Sequence, residues 1–377
     1  MQQKIKILEC IRQGKIGGGE SHLLSLVENL NRQRYEPVVL SFTDGPMVKR
    51  LEEMAVKTHV IHTEKPFDVR KWRQVKRFLR KEGVKLVHAH GTRACSNVLW
   101  AARSLKIPVI YTIHGWSFHR DQHPVVQRMR IMGERYLTAN AQVNIAVSES
   151  NRASGKERIP ALDAVVVNNG INRQKFTPER KLSDIRGELG ILQEEKLVLF
   201  IARFTAHKQP ITLIRAFAEA VKVQPELRLL MVGDGDQKEE ALALVQELQL
   251  GDRIIFQSFR QDVPDVLGAS DIFVLPSLWE GLPIGLLEAM AMGKAVIATK
   301  VDGTVEVLQH RENGIMIEPG KVDALKDALL ELGRDEALRN NFGRKALETV
   351  EKRFNAVHMT REIENIYEKL LNGGSPS

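Results

Sequence analysis

The 377-residue chain has only two cysteines, Cys10 and Cys95. Two thiols build neither a disulfide framework nor a cysteine-based zinc site. Such sparing use fits a reducing compartment. Long apolar runs are missing as well, and none approaches the ~18 residues of a membrane-spanning helix. The opening MQQKIKILEC enters a strand-like segment without the apolar core of a signal peptide, so a cytoplasmic location is expected. Aromatic residues are scarce, at 6%. No RNA- or DNA-binding signature accompanies the basic charge, which sets nucleic acid aside as a partner. Low-complexity tracts are absent, and only the closing NGGSPS reads as disordered.

What remains is ordinary globular material, 43% hydrophobic and 27% charged. The length suits two or three domains. The net charge of +8 hides an asymmetry. Residues 1–180 carry 31 basic and 16 acidic side chains, and residues 181–377 carry 24 and 31. A positive first half and a negative second half call for a functional explanation.

Short apolar runs alternate with helical patterns along nearly the whole chain. Candidate strands in the first half are Ile5–Cys10, Pro37–Phe42, Val60–His62, Leu86–His90, Val109–Ile113, Val143–Val147 and Val165–Asn168. Those in the second half are Leu197–Ala202, Leu227–Val232, Ile254–Gln257, Ile272–Leu275, Ala295–Thr299 and Ile315–Ile317. Continuous apolar strands suit parallel sheets covered on both faces. Helical patterns stand at Ser21–Asn31, Val69–Lys81, Pro210–Val223, Lys238–Leu248, Pro283–Met292 and Val322–Leu332. The strand–helix alternation predicts an α/β chain of two Rossmann-like, doubly wound domains with a cleft between them. The polar stretch 172–196 marks the break. The domains are expected at 1–172 and 173–355, with the helical stretch Ala356–Leu371 returning to the first.

In doubly wound sheets, ligands bind beyond the carboxyl ends of the strands. Five stretches stand there. In PSLWEGLPIGLLEAMAMG, residues 276–293, Glu280 precedes a helix and Glu288 lies within it. The helix start offers the backbone N–H groups of Leu282, Ile284, Gly285 and Leu286, a favourable place for phosphate. The same pair equally suits a capping loop and a solvated face. In IARFTAHKQP, residues 201–210, Arg203 and Lys208 could neutralise a diphosphate without a metal, or could be two solvated loop cations. In GKIGGGE, residues 14–20, Gly18 and Gly19 allow close backbone approach before a helix. That loop fails both the G-x-G-x-x-G and the Walker A spacings, and a tight flexible turn would read the same. His114 ends the strand in TIHG. His88 and His90 share one face of a strand in HAHG, which favours packed or hydrogen-bonded roles over a metal. Asp234 and Asp236 in GDGD read as a strand-end turn.

Taken together, GGGE, HAHG, TIHGWSF, VSES, VVNNGIN, IARFTAHK, LLMVGDGD and PSLWEGLPIGLLEAMAMGKAVIAT resemble glycosyltransferase family 4, over nearly the whole chain. The resemblance implies the GT-B fold, two facing Rossmann-like domains. It implies a retaining transfer from a UDP- or GDP-sugar to a hydroxyl, with no metal and no other cofactor. Glu288 resembles the carboxylate that binds the nucleotide ribose, and Glu280 the one that holds the transferred sugar. Arg203 and Lys208 match the pair that grips the donor diphosphate. Gly18 and Gly19 would let the first loop close over phosphates or acceptor. His114 resembles the histidine near the anomeric centre and the sugar's outer hydroxyl. Three positions depart from the pattern. Gln209 and Asp302 stand where glycine is common, and Pro283 where others have glycine.

The resemblance places the acceptor on the basic first domain. VRKWRQVKRFLRK, residues 69–81, sets Val69, Trp72, Val75, Phe78 and Leu79 in one helical stripe among seven cations. It suits an outer helix with a core stripe, or a helix lying on anionic lipid. Trp116–Met132 mixes Trp116, Phe118 and Met129 with His119, Arg120, Arg128 and Arg130, and reads as an apolar loop bordered by cations. A lipid-linked saccharide acceptor at an anionic membrane surface is expected, in assembly of bacterial surface polysaccharide. A sugar-nucleotide epimerase of similar architecture is the alternative.

Overall fold

The computed structural model describes residues 4–14, 17–119 and 122–373. Arg120 and residues 374–377 of the closing tail lie outside them. The chain forms two compact units, and it crosses between them twice. The first unit holds the chain up to Gly170 and again from Ala356; the second holds Ile171–Asn355.

The first unit is built on a sheet of β1 (Ile5–Ile11), β2 (Tyr35–Ser41), β3 (Lys57–Val60), β4 (Leu86–His90), β5 (Val109–Ile113), β6 (Val143–Ala146) and β7 (Val165–Val166). All described pairings are parallel, in the order β3-β2-β1-β4-β5-β6-β7. Each strand is a short apolar run whose alternate side chains enter different cores. Leu8 and Cys10 join Val75, Leu79 and Val98 on one face. Ile7, Leu86 and Ile110 join Leu26 on the other. That second face is closed by the C-terminal helix Ala356–Leu371, through Met359, Ile363, Ile366 and Tyr367 at helical spacing.

The second unit repeats the design with β8 (Lys196–Ile201), β9 (Leu227–Val232), β10 (Ile254–Gln257), β11 (Ile272–Leu275), β12 (Ala295–Thr299) and β13 (Ile315–Ile317). The order is β10-β9-β8-β11-β12-β13. In both sheets the order reverses beside the first strand, between β1 and β4 and between β8 and β11. Diverging loops open a crevice at such points.

Three expectations need correction. The edge strand runs Lys57–Val60, three residues before the apolar run Val60–His62, because an edge strand needs fewer buried side chains. Val69 is 61% exposed at the first helical position and leaves the predicted stripe, whereas Val75 and Leu79 are fully buried. The segment Trp116–Met132 is not an apolar loop. Trp116 and Phe118 are buried and stacked on each other, and a helix begins at Pro124 and runs to Asn140.

Candidate functional site

In the second unit, Arg203 and Lys208 follow β8, while Glu280 and Glu288 follow β11, its sheet neighbour. The loop after β8 is held by close backbone approach. A Cβ at Gly233 would lie 2.0 Å from the Ala202 oxygen, and one at Gly235 2.3 Å from the Phe204 oxygen. The GDGD turn therefore supports this loop. Lys208 ends a 3-10 turn, and its ammonium donates to Oε1 of Glu280 in an ion pair that neither motif announced. Arg203 is exposed on the same loop. Two further ties join the loops. The Leu278 amide donates to the His207 oxygen at 2.7 Å, and the His207 and Trp279 rings stack 5.0 Å apart. Neither His207 nor Trp279 was foreseen, although they flank residues that were.

The helix Ile284–Ala291 opens after Pro283. Its first bonded amide is that of Leu287, which donates to the Pro283 oxygen at 3.1 Å. The amides of Ile284, Gly285 and Leu286 thus lie ahead of the helical ladder, where the dipole favours an anion. The side chains of Leu282, Ile284 and Leu286 are buried, so only their backbones are placed to meet a ligand. Glu288 lies half-buried further along this helix. Burial pushes its pKa up to about 7, against the pull of Lys175.

Two of the departures sit where backbone geometry explains glycine elsewhere. Gln209 has φ +56° and Asp302 has φ +25°. Both side chains make compensating bonds. Gln209 donates to the Ala206 oxygen at 2.6 Å and accepts from Thr212 at 2.6 Å. Asp302 accepts from the Glu280 amide at 3.3 Å, and so orders the loop that carries this carboxylate. Beside it, a Cβ at Gly303 would lie 1.8 Å from the Gly281 oxygen. Pro283 takes an extended conformation (ψ 104°) that ends the loop.

In the first unit, Gly18 and Gly19 are the first residues of the helix Gly18–Asn29, not part of a flexible loop. Their role is proximity. A Cβ at Gly19 would lie 3.3 Å from the His114 ring. His114 follows β5 and is half-buried. Its ring lies nearly parallel to that of His90, centroids 5.4 Å apart, and meets the edge of His22 at 4.8 Å. Nε2 of His114 lies 3.1 Å from Nδ1 of His90. His90 Nε2 in turn reaches Oε2 of Glu9 at 2.9 Å. The hydroxyl of Tyr367 donates to the other Glu9 oxygen at 2.8 Å, and His88 bonds that hydroxyl and Thr112. His22 Nδ1 is 2.9 Å from Oδ1 of Asn169. The HAHG histidines are thus both buried and hydrogen-bonded. Glu9 was overlooked, though a carboxylate inside the apolar strand IKILECI was its signal.

Residues 16–175 match the family Glycosyltransferase Family 4, and residues 183–349 match Glycosyl transferases group 1. The chain belongs to glycosyltransferase family 4. It is 28% identical over 324 residues to N-acetyl-alpha-D-glucosaminyl L-malate synthase of Bacillus anthracis, covering 85% of this chain and 84% of that one. It is 26% identical over 379 residues to the UDP-Gal:alpha-D-GlcNAc-diphosphoundecaprenol alpha-1,3-galactosyltransferase of Escherichia coli, covering 97% of each. Anabaena HepE in complex with UDP and glucose superposes with a TM-score of 0.85 at 23% identity, over 97% of this glycosyltransferase and all of that chain. The fold is GT-B, with α/β sheets of seven and six described strands.

Proposed function

We propose that this glycosyltransferase moves a sugar from a nucleotide-diphosphate sugar to a hydroxyl of a lipid-linked saccharide, with retention of anomeric configuration. One observation carries the reading. Around the β8–β11 reversal, two cations, two carboxylates and three helix-start amides stand on adjoining loops and the helix that follows them, in one unit. Glu288 would accept from the ribose hydroxyls and Glu280 from those of the sugar. As the anomeric carbon–oxygen bond breaks, negative charge grows on the departing diphosphate. Arg203, Lys208 and the amides of Ile284, Gly285 and Leu286 would stabilise it without a metal, and preorganised groups of this kind commonly contribute more to catalysis than any other effect. The acceptor oxygen bonds to the anomeric carbon on the face the diphosphate leaves, and its proton passes to a phosphate oxygen. The name of the Escherichia coli relative supports a uridine diphosphate donor and a diphosphate-lipid acceptor. The transferase and synthase names of both relatives favour transfer over epimerisation.

The first unit carries an exposed apolar stripe that supports a membrane reading. Along the helix Pro124–Asn140, Val125, Met129, Met132 and Tyr136 are 60%, 67%, 64% and 48% exposed. They recur at helical spacing, with Arg128, Arg130 and Arg135 exposed among them. Phe67 extends the stripe, its ring 6.3 Å from Tyr136. An apolar stripe set in arginines suits the interface of an anionic bilayer better than the helix Val69–Glu82, whose apolar side chains Val75 and Leu79 face the core. Among the described residues no helix is long and apolar enough to cross a membrane. The setting proposed is a cytoplasmic enzyme held at the inner membrane face, serving surface polysaccharide assembly.

A thermal-shift screen over UDP- and GDP-sugars tests the donor, since a ligand of the folded state alone raises its stability. One donor class should raise Tm, and transfer from it to a polyprenyl-diphosphate saccharide should follow. Arg203→Ala, Lys208→Ala and Glu280→Ala should each abolish transfer with an unchanged circular-dichroism spectrum. Full activity in all three would sink the proposal.

A further inference from the structure

The buried chain behind His114 leads from a carboxylate to a single imidazole nitrogen, and hydrogen positions along it follow from elementary chemistry. Glu9 is fully buried in β1. Burial alone would raise its pKa, but the imidazoles of His88 and His90 outweigh burial and hold it well below the usual carboxylate range. Glu9 is therefore ionised and can only accept. The proton between it and His90, 2.9 Å apart, belongs to Nε2 of His90. Burial first, and His88 second, lower the pKa of His90 to about 4 despite Glu9. His90 thus carries one proton at neutral pH, and its Nδ1 is a bare lone pair. His114 Nε2, 3.1 Å away, must then be the donor. His114 is kept neutral too, by burial and by the neighbouring His22 and His90 rings. Its proton is spent on His90, so its Nδ1 is bare. Among the described residues no hydrogen bond to that Nδ1 is found. The ring is held by its bond to His90, by the edge of His22 and by the close approach of Gly19.

We infer that Glu9 and His90 are positioning residues that lock His114 in the Nε2–H tautomer, so that Nδ1, the nitrogen left for a ligand, is an acceptor that recognises a hydroxyl hydrogen and disfavours a phosphate oxygen. The inference rests on the proposed transfer only for the identity of that hydroxyl, which is then one on a sugar substrate. Tyr367 of the C-terminal helix completes the chain by holding the free oxygen of Glu9. The tautomer of a histidine is set by what its other nitrogen meets, and here the selection passes through two rings.

The test is long-range 15N–1H correlation spectroscopy of the intact protein, with the His114 signals assigned by their loss in His114→Asn. In the wild type, His114 should show a protonated Nε2 and a bare Nδ1; a protonated Nδ1 would overturn the inference without any assay. Glu9→Gln replaces a pure acceptor by an amide that can donate to His90 Nε2, which reverses the polarity of the chain. His114 should switch to Nδ1–H, and kcat/KM should fall at least tenfold with Tm kept within a few degrees. A switched tautomer with unchanged kcat/KM, or lost activity with an unswitched one, would overturn the role of Glu9. Should Glu9→Gln fail to fold, the wild-type spectrum and Tyr367→Phe still decide. Tyr367→Phe leaves the Glu9–His90–His114 chain intact and should keep Nε2–H. If the wild type shows Nε2–H yet transfers no sugar, the proposed function fails and the tautomer stands.

Discussion

Glu288 gives the protein a pH dependence. Its folded pKa, about 7, lies above the ordinary 4.5 of a glutamate. Between those values the folded chain holds a proton that the unfolded chain releases. Stability therefore falls as pH rises from about 4.5 to 7 and levels off above, by an amount on the order of 3 kcal/mol at most. Glu288→Gln should recover about 1–3 kcal/mol at pH 8 and under about 1 kcal/mol at pH 5, measured by urea unfolding at both. The same substitution should weaken donor binding and abolish its increase between pH 6 and 8, because a carboxylate that meets ribose hydroxyls binds best ionised. A variant that is no more stable at pH 8 than at pH 5, relative to wild type, would contradict this. At this scale, charged groups at strand ends were legible. Arg203, Lys208, Glu280 and Glu288 have no core role to explain them, and their spacing from strands places them. The partners were not legible. Glu9 and Tyr367 lie 358 residues apart, and no local pattern links a strand carboxylate to a helical phenol.

Among the elements, strands were easier to read than helices. Every predicted strand exists because an apolar run of three to six residues leaves few alternatives, and β3 slipped only because an edge strand has little to bury. Helices such as Thr92–Ser104 were missed where burial is nearly all round and the periodic signal is blurred. The C-terminal helix was legible, since its Met359, Ile363, Ile366 and Tyr367 stripe is periodic. Each of these side chains contributes about 1.5–3 kcal/mol through burial, so together they rival the ~5–15 kcal/mol of a typical domain. Ile363→Ala should cost the first unit about 2–4 kcal/mol in urea unfolding. A change below about 0.5 kcal/mol would mean that the helix is peripheral to that core.

At the scale of the whole molecule, the charge asymmetry and the division into units coincide closely but for different reasons. The proposed donor contacts need few cations, and Arg203 and Lys208 sit in the acidic unit. The surplus belongs to the unit that bears the exposed Val125–Tyr136 stripe. Co-sedimentation should show binding to vesicles rich in phosphatidylglycerol, little to phosphatidylcholine, and a loss at high salt. Met129→Glu combined with Met132→Glu should reduce pelleting several-fold without altering Tm, since both side chains are already in water. Equal, negligible binding to both vesicles would remove the membrane from the account. The stripe itself was not legible: the same stretch read as loop, and nothing in spacing alone tells a core-facing stripe from an outward one.

The return of the chain at Ala356 sets an order of events during synthesis. The second unit is continuous in sequence and can close as soon as Asn355 has left the ribosome. The first unit emerges earlier yet stays open on one sheet face until the last helix arrives. Its exposed side chains in that interval include Ile7, Leu86 and Ile110, which await Met359 and Ile363. Glu9 awaits Tyr367 for the same period. A nascent chain can therefore hold a finished second unit while the carboxylate behind His114 still lacks its phenol. Arrival of the helix Ala356–Leu371, rather than folding of either sheet alone, is the moment at which Glu9 behind the histidine gains its phenol.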